Sequence, residues 1–96
     1  MPRLSKVLDR IRKMVVEGKY ECAIPHFFEE LTADELDLID VEFAIAGGHI
    51  ARRLAGDVRG TRYEIVGSAL DGRQLGVICR IKANGKILLI TVYEIE

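Results

Sequence analysis

The sequence predicts an α+β domain in which N-terminal helices pack on one face of a four-stranded antiparallel sheet. Three observations predict it. Apolar residues recur at helical spacing in the first part of the chain, whereas the second half holds short runs rich in β-branched and apolar residues. Two junctions between those runs carry Asp71-Gly72 and Asn84-Gly85, dipeptides that tolerate positive φ at both centres of a tight hairpin turn. Helices first and strands afterwards is the α+β order. A chain of 96 residues makes one domain with one core, residues 1–96.

Leu4, Val7, Leu8, Ile11, Met14 and Val15 share one side of a helix from about Leu4 to Val16, with Ser5 as N-cap and Gly18 as stop. The opposite side carries Arg3, Lys6, Arg10 and Lys13, either a solvated face or a phosphate-binding stripe. A short second helix begins near Pro25, which suits a first helical position, with Phe27, Phe28 and Leu31 as its apolar contacts. Asp37 caps a third helix that buries Leu38, Val41, Ile45 and Phe43 and ends at Gly47-Gly48. Four strands follow, roughly His49–Leu54, Thr61–Ser68, Gln74–Lys82 and Ile87–Glu94, with a turn over Gly56–Gly60 between the first two.

Two-residue turns set a register. An Asn84-Gly85 turn places Lys82 opposite Ile87, Arg80 opposite Leu89, Ile78 opposite Thr91 and Gly76 opposite Tyr93. Arg80, Lys82, Thr91 and Tyr93 then project from one face. Leu75, Val77, Cys79 and Ile81 meet Leu88, Ile90 and Val92 on the helix-covered one. The same logic at Asp71-Gly72 adds Tyr63 and Ile65 to the polar face and Val66 and Ser68 to the core. It sends Arg62 and Glu64 coreward, which implies a bulge or fraying there.

Composition excludes several classes. The longest apolar run, Ile87–Tyr93, is too short to span a bilayer, and the opening residues lack the oily segment of a secretion signal, so a cytoplasmic location is expected. Cys22 and Cys79 belong to no C-x-x-C pair and read as buried thiols; no metal or other cofactor is expected. The formal net charge of −1 conceals segregation: residues 1–19 carry +4, residues 20–48 carry −8 and residues 49–96 carry +3. This fits either separate basic and acidic surfaces or helix faces that merely differ in sign. Arg, Lys, Tyr and Thr on one sheet face suit phosphate contacts and base stacking, although an ordinary half-solvated sheet also alternates polar with apolar residues.

The order of a basic helix, GKY, PHFFEEL, DVEFAIAGGHI, DVRGTRYEIVG, DGRQLGVICRI and ITVYEIE resembles a bacterial family called domain of unknown function 4258 over essentially the whole chain. The strongest pieces are Asp40-Val41 with Gly48 and Ile50, then Arg59-Gly60, Gly67, Asp71-Gly72-Arg73 and Ile90-Thr91-Val92-Tyr93. The resemblance implies a RelE-like fold, akin to the RelE, BrnT and MqsR toxins. It implies metal-independent mRNA cleavage by the toxin of a type II toxin–antitoxin pair. Implied partners are a small zinc-finger antitoxin of the YgiT type and mRNA or the ribosome; separately from the resemblance, a homodimer and no membrane association are expected. His26 matches the family's helix-starting histidine. Gly76 stands where the family usually has a histidine, and Glu64 where it is usually apolar.

Such cleavage needs a base for the 2′-OH, cations for the phosphorane and an acid for the 5′-oxygen. His26, Arg80, Lys82 and Tyr93 are the catalytic candidates, and Arg52, Arg53, Tyr63 and Arg73 the RNA-binding ones. Arg80 and Arg73 suit phosphate because guanidinium is always charged and forked. Lys82 and Tyr93 exchange protons near neutrality only with depressed pKa values. His26 offers an imidazole for proton transfer, or simply sits satisfied at its helix N-terminus. The alternative function is a non-catalytic protein-interaction module whose acidic helices bind a partner.

Overall fold

The computed structural model describes residues 4–96; Arg3 of the basic stripe lies outside them. The elements are α1 (Leu4–Val16), β1 (Tyr20–Cys22), α2 (His26–Ala33), α3 (Leu38–Gly47), β2 (His49–Leu54), β3 (Arg62–Ser68), β4 (Gln74–Ile81) and β5 (Ile87–Ile95). All the strands form one sheet in the order β1-β5-β4-β3-β2, with β1 parallel to β5 and the other neighbours antiparallel. The expectation of N-terminal helices on a four-stranded antiparallel, RelE-like sheet is thereby corrected. The sheet is five-stranded and mixed, and a strand separates the first two helices. Three residues are too few for a period of two to register in sequence. The free edge of β5 creates β1: Ile87 N–H bonds to Lys19 C=O at 3.0 Å, and Ala23 N–H to Leu89 C=O at 2.9 Å.

The helices cover one sheet face. Ile11 and Val15 of α1, Phe27 and Leu31 of α2, and Val41, Ala44 and Ile45 of α3 join Tyr63, Ile65, Leu75, Val77, Cys79, Ile87, Leu89 and Val92 in the core. Phe28 and Phe43 were expected inside but are about half exposed, because the buried stripe of each short helix is filled by its neighbours in sequence. Asp37 occupies the α3 N-cap. Asp40 reaches back to its N–H at 2.9 Å and also accepts Leu70 N–H at 3.1 Å, tying α3 to the β3–β4 loop. At the other end, Arg12 donates to the Ile45 carbonyl at 3.1 Å and to that of Gly48, placing a cation at the negative end of α3.

Both hairpins close through three-residue loops. Gly85 N–H bonds to Lys82 C=O at 3.0 Å and Lys82 N–H to Lys86 C=O at 2.8 Å, with positive φ at Gly85 but not at Asn84. Ala69, Gly72 and Arg73 repeat the pattern, with Gly72 at φ +91°. This is a type I turn followed by a left-handed glycine, and it shifts pairing by one residue from the expected two-residue turn. Consequently Arg62 faces Arg80, Tyr63 faces Cys79, Glu64 faces Ile78 and Val66 faces Gly76. Tyr63 and Ile65 are core residues, whereas Arg62, Glu64, Val66 and Ser68 line the uncovered face, the reverse of the expected assignment. In β5, Ile87 and Leu89 replace Leu88 and Ile90 in the core. An extra residue at Ile90 then restores the expected pairs Ile78–Thr91 and Gly76–Tyr93.

Gly67 sets the distance between sheet and α3. A Cβ there would collide with the Ala44 backbone, its nearest atoms being the carbonyl oxygen and the carbonyl carbon, the latter at 2.8 Å. Backbone cannot rotate aside as a side chain can. Gly67→Ala is therefore expected to cost about 1–3 kcal/mol by overpacking, read as a lower urea midpoint at unchanged slope; a midpoint equal to wild type would refute the close approach.

Candidate functional site

The uncovered face is a floor of Val66, Ile78, Leu88, Ile90 and Thr91 crossed by charged side chains from β1 to β4 and by Tyr93 from β5. Glu21 in β1 shares the register position of Leu88, and Lys82 Nζ lies 2.9 Å from its carboxylate. That hydrogen bond holds the Glu21 carboxyl below its usual range. In the middle, Glu64 is only 5% exposed. Arg52 grips it with two bonds, Nε to Oε1 at 2.9 Å and Nη2 to Oε2 at 3.0 Å. The Tyr93 hydroxyl donates to the same Oε2. These bonds, Arg52 first and Tyr93 second, outweigh burial and hold the Glu64 carboxyl below its ordinary pKa. The same hydrogen bond moves Tyr93 the other way, above its ordinary value.

Gly76 is the seat of this cluster. The Tyr93 ring lies on it so closely that a Cβ would stand 2.6 Å from Tyr93 Cε1. A side chain at this position and the observed Tyr93 pose exclude one another, so the Tyr93–Glu64 bond depends on the glycine.

Next along the face, Arg62 and Arg80 stand opposite each other. Arg80 forms no ion pair among the described residues. Arg62 Nε lies 3.6 Å from Asp57 Oδ2, and this buried nitrogen makes no hydrogen bond. Asp57 itself is engaged by Arg59, whose backbone N–H donates to Oδ1 at 2.8 Å, and this bond is the largest cause of its lowered pKa.

The remaining expected site residues lie elsewhere. Tyr63 points into the core at 9% exposure, a consequence of the one-residue shift. Arg53 projects from β2 on the side opposite Arg52, in register with Tyr63. Arg73 is committed to structure. It donates to Asp71 at 2.8 Å, to Glu94 at 3.2 Å and to the carbonyls of Asp34 at 2.7 Å and Glu35 at 3.0 Å. It also precedes β4 at the end far from Arg80, roughly 20 Å away along the strand. His26 begins α2 in the helix layer, 3.2 Å from Glu30 and across the sheet from Tyr93. Arg80, Lys82, Tyr93 and Arg52 thus share the open face; His26, Arg53, Tyr63 and Arg73 do not. Glu64 and Arg62 join them unforeseen, and an alternating strand read one residue out of register hides both.

Elsewhere, an apolar groove of about 560 Å³ runs between α1 and α3, lined by Val16, Ile39, Phe43 and Leu70. Cys79 is fully buried, and burial pushes its thiol up to about 12. No helix among the described residues is long and apolar enough to cross a membrane.

The cluster fixes two pH limbs. Glu64 has a folded pKa below its ordinary 4.5, so its stabilisation is complete above pH 4.5 and is lost as pH falls through the folded value. Tyr93 has a folded pKa above 10.0, so its contribution is complete below pH 10.0 and is lost as pH rises through the folded value. Glu64→Gln is expected to flatten the acid limb of stability against pH and to return Tyr93 towards ordinary titration by ultraviolet absorbance. Identical titrations in wild type and variant would contradict the bonded pair.

No curated protein and no solved structure matches the chain at a significant level. The profile of one family, described as Domain of unknown function (DUF4258), matches residues 25–94, a span running from the start of α2 through all of the antiparallel strands. The open face and its Glu64, Arg80 and Tyr93 thus fall within a protein that belongs to the DUF4258 family.

Proposed function

We propose that the protein is the toxin of a type II toxin–antitoxin pair, binding RNA along the open sheet face and cleaving it without a metal ion. The observation that carries this reading is an ionised carboxylate, Glu64, set among Arg52, Arg62 and Arg80 on an uncovered surface. The resemblance to the DUF4258 family implies kinship with the RelE, BrnT and MqsR toxins, and it supports the activity by analogy alone. Arg80 is a diagonal neighbour of Glu64, with Cα atoms roughly 7–8 Å apart, a separation that a ribose and its phosphate can bridge.

In this scheme Glu64 accepts the 2′-OH proton, O2′ bonds to phosphorus and the P–O5′ bond breaks, leaving a 2′,3′-cyclic phosphate. Water supplies the proton to the 5′-oxygen. Arg80 holds the charge that accumulates on the phosphorane. Glu64 is deprotonated at neutral pH, its lowered pKa makes it a weaker base than a free carboxylate, and Arg52 and Tyr93 orient it. Tyr93, with its pKa raised, serves as a hydrogen-bond donor rather than a base. Lys82, paired with Glu21, extends the backbone-binding row. The regulating partner in this reading is a small zinc-finger antitoxin of the YgiT type.

A second reading, RNA binding without cleavage, is favoured by one observation: both Glu64 oxygens already accept hydrogen bonds. A protein-interaction module built on acidic helices has less support. Five of the eight acids in residues 20–48, namely Glu21, Glu30, Asp34, Asp40 and Glu42, are consumed by internal bonds.

Induced expression is expected to arrest growth, with Arg80→Ala and Glu64→Gln relieving the arrest. Purified protein in excess chelator should leave cyclic-phosphate ends on RNA, at a rate at least about 100-fold lower in Glu64→Gln, as for loss of a general base. RNA binding with no cut ends would select the second reading. Harmless expression together with no RNA binding would end both.

A further inference from the structure

Two arginines, Arg62 and Arg80, stand opposed at the end of the open face. Arg62 and Arg80 are register partners, so both guanidinium groups rise from neighbouring strands on one face. Like charges so placed repel unless a counter-charge lies between them. Asp57 does not fill that role: it stands 3.6 Å from Arg62 Nε and shares both oxygens with Arg59, at 3.3 Å each to Nε and Nη2. Arg62 Nε is buried with no hydrogen bond. The loop backbone closes the flank: Gly60, at φ +119°, packs so that a Cβ would touch the Arg80 side chain at 3.4 Å. Arg59 and Arg62 therefore share the one carboxylate of Asp57 and Arg80 pairs with none among the described residues, an excess of two positive charges. The other charged pairs on the face, Arg52–Glu64 and Lys82–Glu21, are balanced.

We propose that Arg62 and Arg80 together bind a single phosphate group, which enters between them from the open face and accepts from Arg62 Nε. The forked donors of guanidinium match phosphate oxygens, and two forks from opposed strands hold one anion where a lone surface arginine would not. The physiological source named here, a backbone phosphodiester of RNA, rests on the proposed function. Free phosphate and a terminal phosphomonoester share the same chemistry.

The test uses the full chain with three probes: inorganic phosphate, a nucleoside 3′-monophosphate and a single-stranded oligoribonucleotide. Chloride at equal ionic strength is the control, and Arg62→Lys, Arg80→Lys and Arg10→Lys on α1 are the variants. Phosphate is expected to raise the wild-type unfolding midpoint by several degrees at concentrations about tenfold above its Kd. Both clamp variants, which keep the charge but lose the fork, should lose that response, and Arg10→Lys should keep it. The wild-type Arg62 Nε–H resonance should shift on phosphate addition, which tests the site even where a variant folds poorly. Equal responses in all four proteins, or an unmoved Arg62 resonance, overturn the clamp. A clamp-dependent phosphate response without oligoribonucleotide binding keeps the clamp, assigns it to free or terminal phosphate and removes the RNA reading. Oligoribonucleotide binding that both clamp variants retain at wild-type affinity removes the clamp and leaves the RNA reading standing.

Discussion

Gly72 and Gly85 each turn the chain left-handed at the last position of a three-residue loop, and the register of the central sheet depends on them. A residue with a Cβ pays a steric penalty in that conformation, so the loop length and the glycine go together. From the Gly72 loop the whole of β3 is paired, and since side chains alternate with a period of two, its choice of face follows without further freedom. Tyr63 and Ile65 enter the core, and Arg62 and Glu64 leave it. The Gly85 loop does the same for the start of β5, until the extra residue at Ile90 undoes the shift and returns Tyr93 to the open side, over Gly76.

The edges and faces of the sheet explain much of the charge distribution. β1 covers β5 only through Leu89, leaving later N–H groups of β5 without a strand partner. The α2 segment satisfies two of them: Glu30 accepts from Val92 at 3.1 Å and Asp34 from Glu94 at 3.3 Å. An unpaired edge invites association with other chains, and carboxylates laid along it prevent this while meeting the donors. Half of the eight acids in residues 20–48 thus close an edge or cap a helix: Glu30, Asp34, Asp37 and Asp40.

On the open face, electrostatics separates the structural from the available. Arg52 and Lys82 have carboxylate partners, and Arg73 is spent at the far end of β4. Arg80 and Arg62 remain with less counter-charge than they need, beside a carboxylate that stays ionised. The proposed phosphate would supply that counter-charge, and among the described residues the floor of aliphatic side chains offers no aromatic platform besides the tethered Tyr93. The proposal of recognition through phosphates rather than bases rests on that combination.

The helices, the antiparallel strands and the apolar faces of α1 and β4 were legible in the sequence because each is local, set by periodicity and by punctuation at glycine. Arg80 and Tyr93 were likewise legible as residues of one polar face. Strand β1, the face of β3 and the Glu64–Arg52–Tyr93 cluster were not. β1 exists because β5 has an edge to offer. The face of β3 turns on whether Asp71-Gly72 closes a loop of two residues or three, a choice that the dipeptide permits either way and that packing decides: Ile65 and Tyr63 against the helices, and Gly67 against Ala44. Local preference names the elements; burial, summed over a whole strand, chooses which way they face.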